Sequence, residues 1–80
     1  MKEKKIMLPS VEEAKHFVGE ATKCDFDIDV FYNRVTIDAK SILGVLSLDL
    51  ARVLTVQMNG DNAEFEEYLD TLAPVSTTAA

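Results

Sequence analysis

The amino-acid sequence predicts an α+β fold, an open-faced sandwich in which a four-stranded antiparallel sheet carries three helices on one face in the order β-α-β-β-α-β-α. Three observations predict it. Two capping-box sequences, Ser10-Val11-Glu12-Glu13 and Asp61-Asn62-Ala63-Glu64, each open a stretch with apolar residues three and four apart. Asp25–Val30 and Val35–Ala39 alternate between apolar and polar residues on either side of Tyr32-Asn33-Arg34, as the arms of a hairpin do. Finally, 80 residues suffice for one domain and no more.

The elements follow in order. Lys4 to Leu8 reads as a first strand with Ile6 and Leu8 on one face, broken by Pro9. Ser10 caps a helix whose apolar stripe is Val11, Ala14, Phe17, Val18 and Ala21. Asp25 to Val30 is the second strand, its acids Asp25, Asp27 and Asp29 facing water. Val35, Ile37 and Ala39 mark the third. Ser41 opens a short helix bearing Ile42, Leu43, Val45, Leu46 and Leu48. From Arg52 the period returns to two, with Leu54, Val56 and Met58 on one face until Asn59-Gly60. The last helix carries Phe65, Tyr68, Leu69 and Leu72 and stops at Ala73-Pro74. Residues 1–73 form the expected domain, and 74–80 an expected disordered tail.

Composition excludes several function classes. A net charge of −6 repels a phosphate backbone, so direct nucleic-acid binding is not expected. No apolar run approaches the ~20 residues that span a bilayer, and Ile6-Met7-Leu8 is too short for a signal-peptide core. Cys24, the one cysteine, has no disulfide partner, which fits a reducing compartment. A cytoplasmic location without membrane association is therefore expected. Asp25-x-Asp27-x-Asp29 resembles the start of a calcium loop. Val30 and Thr36 stand where such a loop needs glycine and glutamate, so no metal site is expected. No cofactor motif is present, and Cys24 lacks a nearby histidine base.

Lys40-Ser41-Ile42-Leu43-Gly44-Val45-Leu46-Ser47-Leu48 resembles a K-S-I-M-G-V-M-S-L segment found in the HPr family, the small phosphocarrier proteins of the bacterial sugar phosphotransferase system. Ala21-Thr22-Lys23 and Tyr32-Asn33 also match the family's pattern, and Ser10 through Leu50 align without a gap. The resemblance implies an HPr fold and a protein acted on by kinases rather than an enzyme.

The resemblance also places a departure. Family members carry the phosphorylated histidine in an H-A-R-P-A motif at the start of the first helix. Here the segment reads Ser10-Val11-Glu12-Glu13-Ala14, with Ser10 at the histidine position, Glu12 at the arginine position and Glu13 at the proline position. The loops before Ser10 and near Ala51-Arg52 are shorter than the family's. A helix N-terminus favours an anion by about 0.3–1 kcal/mol. Two nearby carboxylates oppose it by roughly 1 kcal/mol each at close range in water. A serine phosphate ester is also far less labile than phosphohistidine. Histidine-type phosphotransfer through this end is not expected. Ser10 reads as a helix cap, and His16, the one histidine, as a solvated helix residue.

Ser41 keeps two compatible readings. It caps the second helix, and the resemblance implies a regulatory phosphorylation site. In Gram-positive members the equivalent serine is modified by HPr kinase/phosphorylase, and the product binds the catabolite control protein. Lys40 lies beside it, and Lys40, Ile42, Leu43 and Leu46 fall on the family's docking surface. The expected function is thus a regulatory or interaction protein of catabolite repression, similar to the HPr paralogues that lack the carrier histidine. The alternatives are a phosphotransfer component with an unusual acceptor and a degenerate HPr-fold binding module. Expected partners are HPr kinase/phosphorylase, a catabolite control regulator or other phosphotransferase-system proteins.

Overall fold

The computed structural model describes residues 2–74. The expected tail from Val75 lies outside them. The elements are β1 (Lys2–Ile6), α1 (Val11–Thr22), β2 (Ile28–Tyr32), β3 (Val35–Asp38), α2 (Ile42–Leu46), β4 (Leu54–Met58) and α3 (Ala63–Thr71). All strand pairs are antiparallel, in the order β1-β4-β2-β3. The predicted order and sheet type are therefore the observed ones.

The helices share one face of the sheet because strand side chains alternate. Ile28 and Val30 of β2 and Leu54, Val56 and Met58 of β4 are fully buried. Against them pack Ala14, Phe17, Val18 and Ala21 of α1, Val45 and Leu48 in and after α2, and Phe65, Leu69 and Leu72 in and after α3. The opposite face carries Glu3, Lys5, Asp29, Thr55 and Gln57, joined across strands by Lys5 Nζ to Thr55 Oγ1 at 2.8 Å and Gln57 Nε2 to Glu3 Oε2 at 3.0 Å.

Several boundaries move, each for a physical reason. β1 runs Lys2–Ile6 rather than Lys4–Leu8. Ile6 pairs with Leu54, the first residue of β4, so the chain beyond it has no strand partner. Met7 N–H donates instead to Leu72 O at 2.8 Å. β2 begins at Ile28, not Asp25, because its partner β4 ends at Met58 opposite Ile28. Asp25 and Asp27 are exposed loop residues, and only Asp29 stands in the strand. Asn33 occupies the left-handed region at φ 54° in the two-residue hairpin loop, a conformation asparagine tolerates. Val11, expected in the apolar stripe, is 52% exposed.

The α3 cap shifts by one residue. Asn62, not Asp61, accepts from Phe65 N–H through Oδ1 at 3.0 Å, while its Nδ2 donates to Cys24 Sγ at 3.6 Å. An amide offers both a donor and an acceptor, which an ionised carboxylate does not. Asp61 instead meets Lys2 Nζ at 2.8 Å. That pairing holds the Asp61 carboxyl below its ordinary range and raises Lys2.

Gly44 of α2 sits against β3. A Cβ at this position would lie 2.6 Å from Ile37 Cγ2 and 3.2 Å from Ser41 Oγ. Gly44→Ala gains up to about 1 kcal/mol of helix propensity but overpacks a tight contact at about 1–3 kcal/mol. The expected net result is a lower unfolding midpoint in calorimetry. An unchanged or raised midpoint would show that α2 shifts freely on β3.

Candidate functional site

Two helix starts carry the residues singled out in the sequence. At α1, Ser10 is an extended N-cap whose Oγ accepts from Glu13 N–H at 3.1 Å. The capping box is only half formed. Glu13's carboxylate turns to α3 instead, accepting from the Tyr68 hydroxyl at 2.5 Å and lying 3.4 Å from His16 Nδ1. Glu12 is exposed beside it. The first turn thus bears two acids and no base.

His16 is solvent-exposed, as expected, but not isolated. Its Nε2 lies 3.5 Å from Glu20 Oε2, and its ring packs on Tyr68 with centroids 4.8 Å apart. It is a helix turn away from the free N–H groups that would bind phosphate. The Lys23 ammonium beside Glu20 holds that carboxyl below its ordinary range. Burial, and then the bond to Glu13, pushes the Tyr68 hydroxyl well above ordinary tyrosine values, so it stays a donor. Cys24 is buried, and burial raises its thiol above its ordinary value.

At α2, Ser41 is an exposed, extended N-cap whose Oγ accepts from Gly44 N–H at 3.2 Å. The turn before it is closed by Asp38, whose Oδ1 accepts from Lys40 N–H at 2.9 Å and whose carbonyl accepts from Ser41 N–H at 2.9 Å. Leu43 is 80% exposed, Ile42 and Leu46 are half-buried, and Val45 is buried. One departure concerns Lys40. Its ammonium does not face Ser41 but donates to the Cys24 carbonyl at 2.8 Å.

The residues that line a groove of about 670 Å³ include Pro9, Ser10, Val11, Leu50, Ala51 and Pro74. Both loops noted as short border it, at Pro9 and at Ala51. No local pattern signals a surface assembled from three separate segments. Among the described residues, no group of three or more His, Cys, Asp or Glu side chains is placed to hold a metal ion. Nor is any helix among them long and apolar enough to cross a membrane.

The family model described as the PTS HPr component phosphorylation site matches residues 11–77. The chain belongs to the HPr family. Its fold is similar to that of HPr-C-His from Thermoanaerobacter tengcongensis, with 29% identity, a TM-score of 0.74 and coverage of 89% of each chain. The phosphocarrier protein HPr of Bacillus anthracis str. Ames matches at 26% identity and a TM-score of 0.72, over 91% of this chain and 96% of that one. The Bacillus subtilis catabolite repression protein Crh, solved as a swapped-domain dimer, matches at 26% identity and 0.63, over 82% and 79%. HPr proteins are phosphocarriers of the phosphotransferase system, not catalysts. In this member the match begins at Val11, one residue after Ser10.

The Tyr68–Glu13 contact gives a pH signature. Folding raises the Tyr68 value, so the folded state holds that proton more tightly than the unfolded chain. The associated stability is full below the unfolded tyrosine value of about 10 and is lost as pH rises beyond it. In urea unfolding, the wild-type chain should lose stability between about pH 9 and 11 more steeply than Tyr68→Phe. Parallel losses would contradict the contact.

Proposed function

We propose that this HPr-family chain is a regulatory interaction protein of the cytoplasm that has given up histidine phosphocarrier activity and docks through α2, gated by phosphorylation of Ser41. The observation that carries this reading is the contrast between its two helix starts. Around Ser10 the motif's histidine, arginine and proline positions are held by a capping serine and two glutamates. Around Ser41 the family's segment persists, with an exposed hydroxyl and Leu43 in solvent beside it.

The chemistry separates the two ends. A carrier needs an acceptor that releases its phosphoryl group readily, which a serine ester does not. A switch needs the reverse, a product that lasts until it is actively removed. Ser41 suits the switch. Its Oγ would displace ADP from the γ-phosphorus of ATP and yield its proton to the kinase's base. The phosphate, at about −1.5 to −2 charge, then stands beside an apolar surface and changes what that surface accepts. The partners this implies are HPr kinase/phosphorylase and a catabolite control regulator. The likeness to the Bacillus subtilis catabolite repression protein supports that direction.

The test has two arms. HPr kinase with ATP should add one phosphoryl group by intact mass, and Ser41→Ala should abolish it. Enzyme I with phosphoenolpyruvate should add no acid-labile phosphate under conditions that label a histidine-bearing HPr. Failure of the first arm removes the switch and leaves an HPr-fold binding module. Labelling in the second restores a carrier with an unusual acceptor.

A further inference from the structure

Lys40 precedes the modification candidate in sequence, yet its charge is spent elsewhere. Its half-buried side chain reaches back to the end of α1, where Nζ donates to the Cys24 carbonyl at 2.8 Å. Cys24 is a junction. Its N–H donates to Ala21 O at 3.1 Å, holding the last turn of α1. Its Sγ receives Asn62 Nδ2 at 3.6 Å, and the same Asn62 caps α3 through Oδ1. The Lys40–Cys24 bond therefore ties the strap before α2 to the end of α1 and the start of α3.

We propose that Lys40 is a latch set by the state of Ser41. With Ser41 unmodified, the ammonium holds the Cys24 carbonyl. With Ser41 phosphorylated, it leaves that carbonyl for the phosphate, and the junction loosens. The inference rests on the reading of Ser41 as a phosphorylation site and names what that modification does inside the fold. No covalent bond at Lys40 forms or breaks; one hydrogen-bond acceptor replaces another.

The exchange follows from charge and reach. A carbonyl offers the ammonium a neutral dipole, whereas a phosphoserine offers nearly two negative charges and three acceptor oxygens. Adjacent Cα atoms are about 3.8 Å apart, well within the sweep of a flexible four-carbon side chain. The carboxylate closest along the turn, Asp38, already accepts from Lys40 N–H and repels the new phosphate. A cation moving to the phosphate relieves that repulsion. Two other bases have carboxylate partners of their own: Lys23 Nζ bonds Glu20 at 3.0 Å, and Arg52 Nε bonds Asp49 at 3.2 Å.

The experiment installs phosphoserine at position 41 during translation, so it needs no kinase, and compares four chains: unmodified, phosphorylated, Lys40→Met, and phosphorylated Lys40→Met. The readouts are the iodoacetamide alkylation rate of Cys24 and the amide nitrogen shift of Asp25, which reports the hydrogen bond on the preceding carbonyl. Phosphorylation and Lys40→Met should each raise the alkylation rate several-fold and move Asp25 in the same direction. The doubly altered chain should go no further. Additive effects, or phosphorylation that leaves Cys24 and Asp25 as they were, would overturn the latch. A kinase that fails to modify Ser41 would count against the proposed function alone.

Discussion

Every described helix packs into one core on one face of the sheet, to which the inward side chains of β2 and β4 contribute most. Ile28, Val30, Leu54, Val56 and Met58 lie there with essentially no exposure, and each helix contributes its buried residues to that surface. A chain of this size with no disulfide has one chance to bury apolar area, so a one-sided core is a constraint rather than a choice. It fixes where α1 and α2 start. Both N-caps are thereby held at the surface, with Ser10 and Ser41 exposed and extended. The core thus sets where both helices begin without burying either cap.

Electrostatics then separates the two starts. At α1 the first turn holds Glu12 and Glu13, and Glu13 is drawn across to Tyr68 and His16. That contact ties α1 to α3 and turns the Glu13 carboxylate away from Ser10. At α2 the first turn has no acid, and the nearest base, Lys40, is employed on Cys24. One start is built as a helix junction. The other remains an accessible hydroxyl beside exposed leucine.

Much of the fold was legible because it rests on local periodicity. The alternation at Leu54–Met58 and the stripe Val11, Ala14, Phe17, Val18 and Ala21 each describe one face of one element, and the structure buries those faces except at Val11. The strand ends were not legible. β1 stops at Ile6 and β2 starts at Ile28 because β4 spans only Leu54–Met58, a property of the partner strand. The α3 cap was misplaced for a similar reason. Asn62 wins over Asp61 because Cys24 and Lys2, distant in sequence, each claim one of them. The site divides in the same way: the caps at Ser10 and Ser41 are local and were found. The reach of Lys40 to Cys24 and the groove between Pro9, Leu50 and Pro74 join remote segments, and no window of sequence contains them.

The proposed function makes α2, rather than the Ser10 end, the docking surface. Amide shift mapping of the isotope-labelled chain during titration with HPr kinase/phosphorylase tests it most directly. Docking through α2 would concentrate the shifts on Ser41, Ile42, Leu43 and Leu46, with Ser10 to Glu13 little affected. Shifts centred on Ser10 to Glu13, or a titration without saturable shifts at α2, would contradict it.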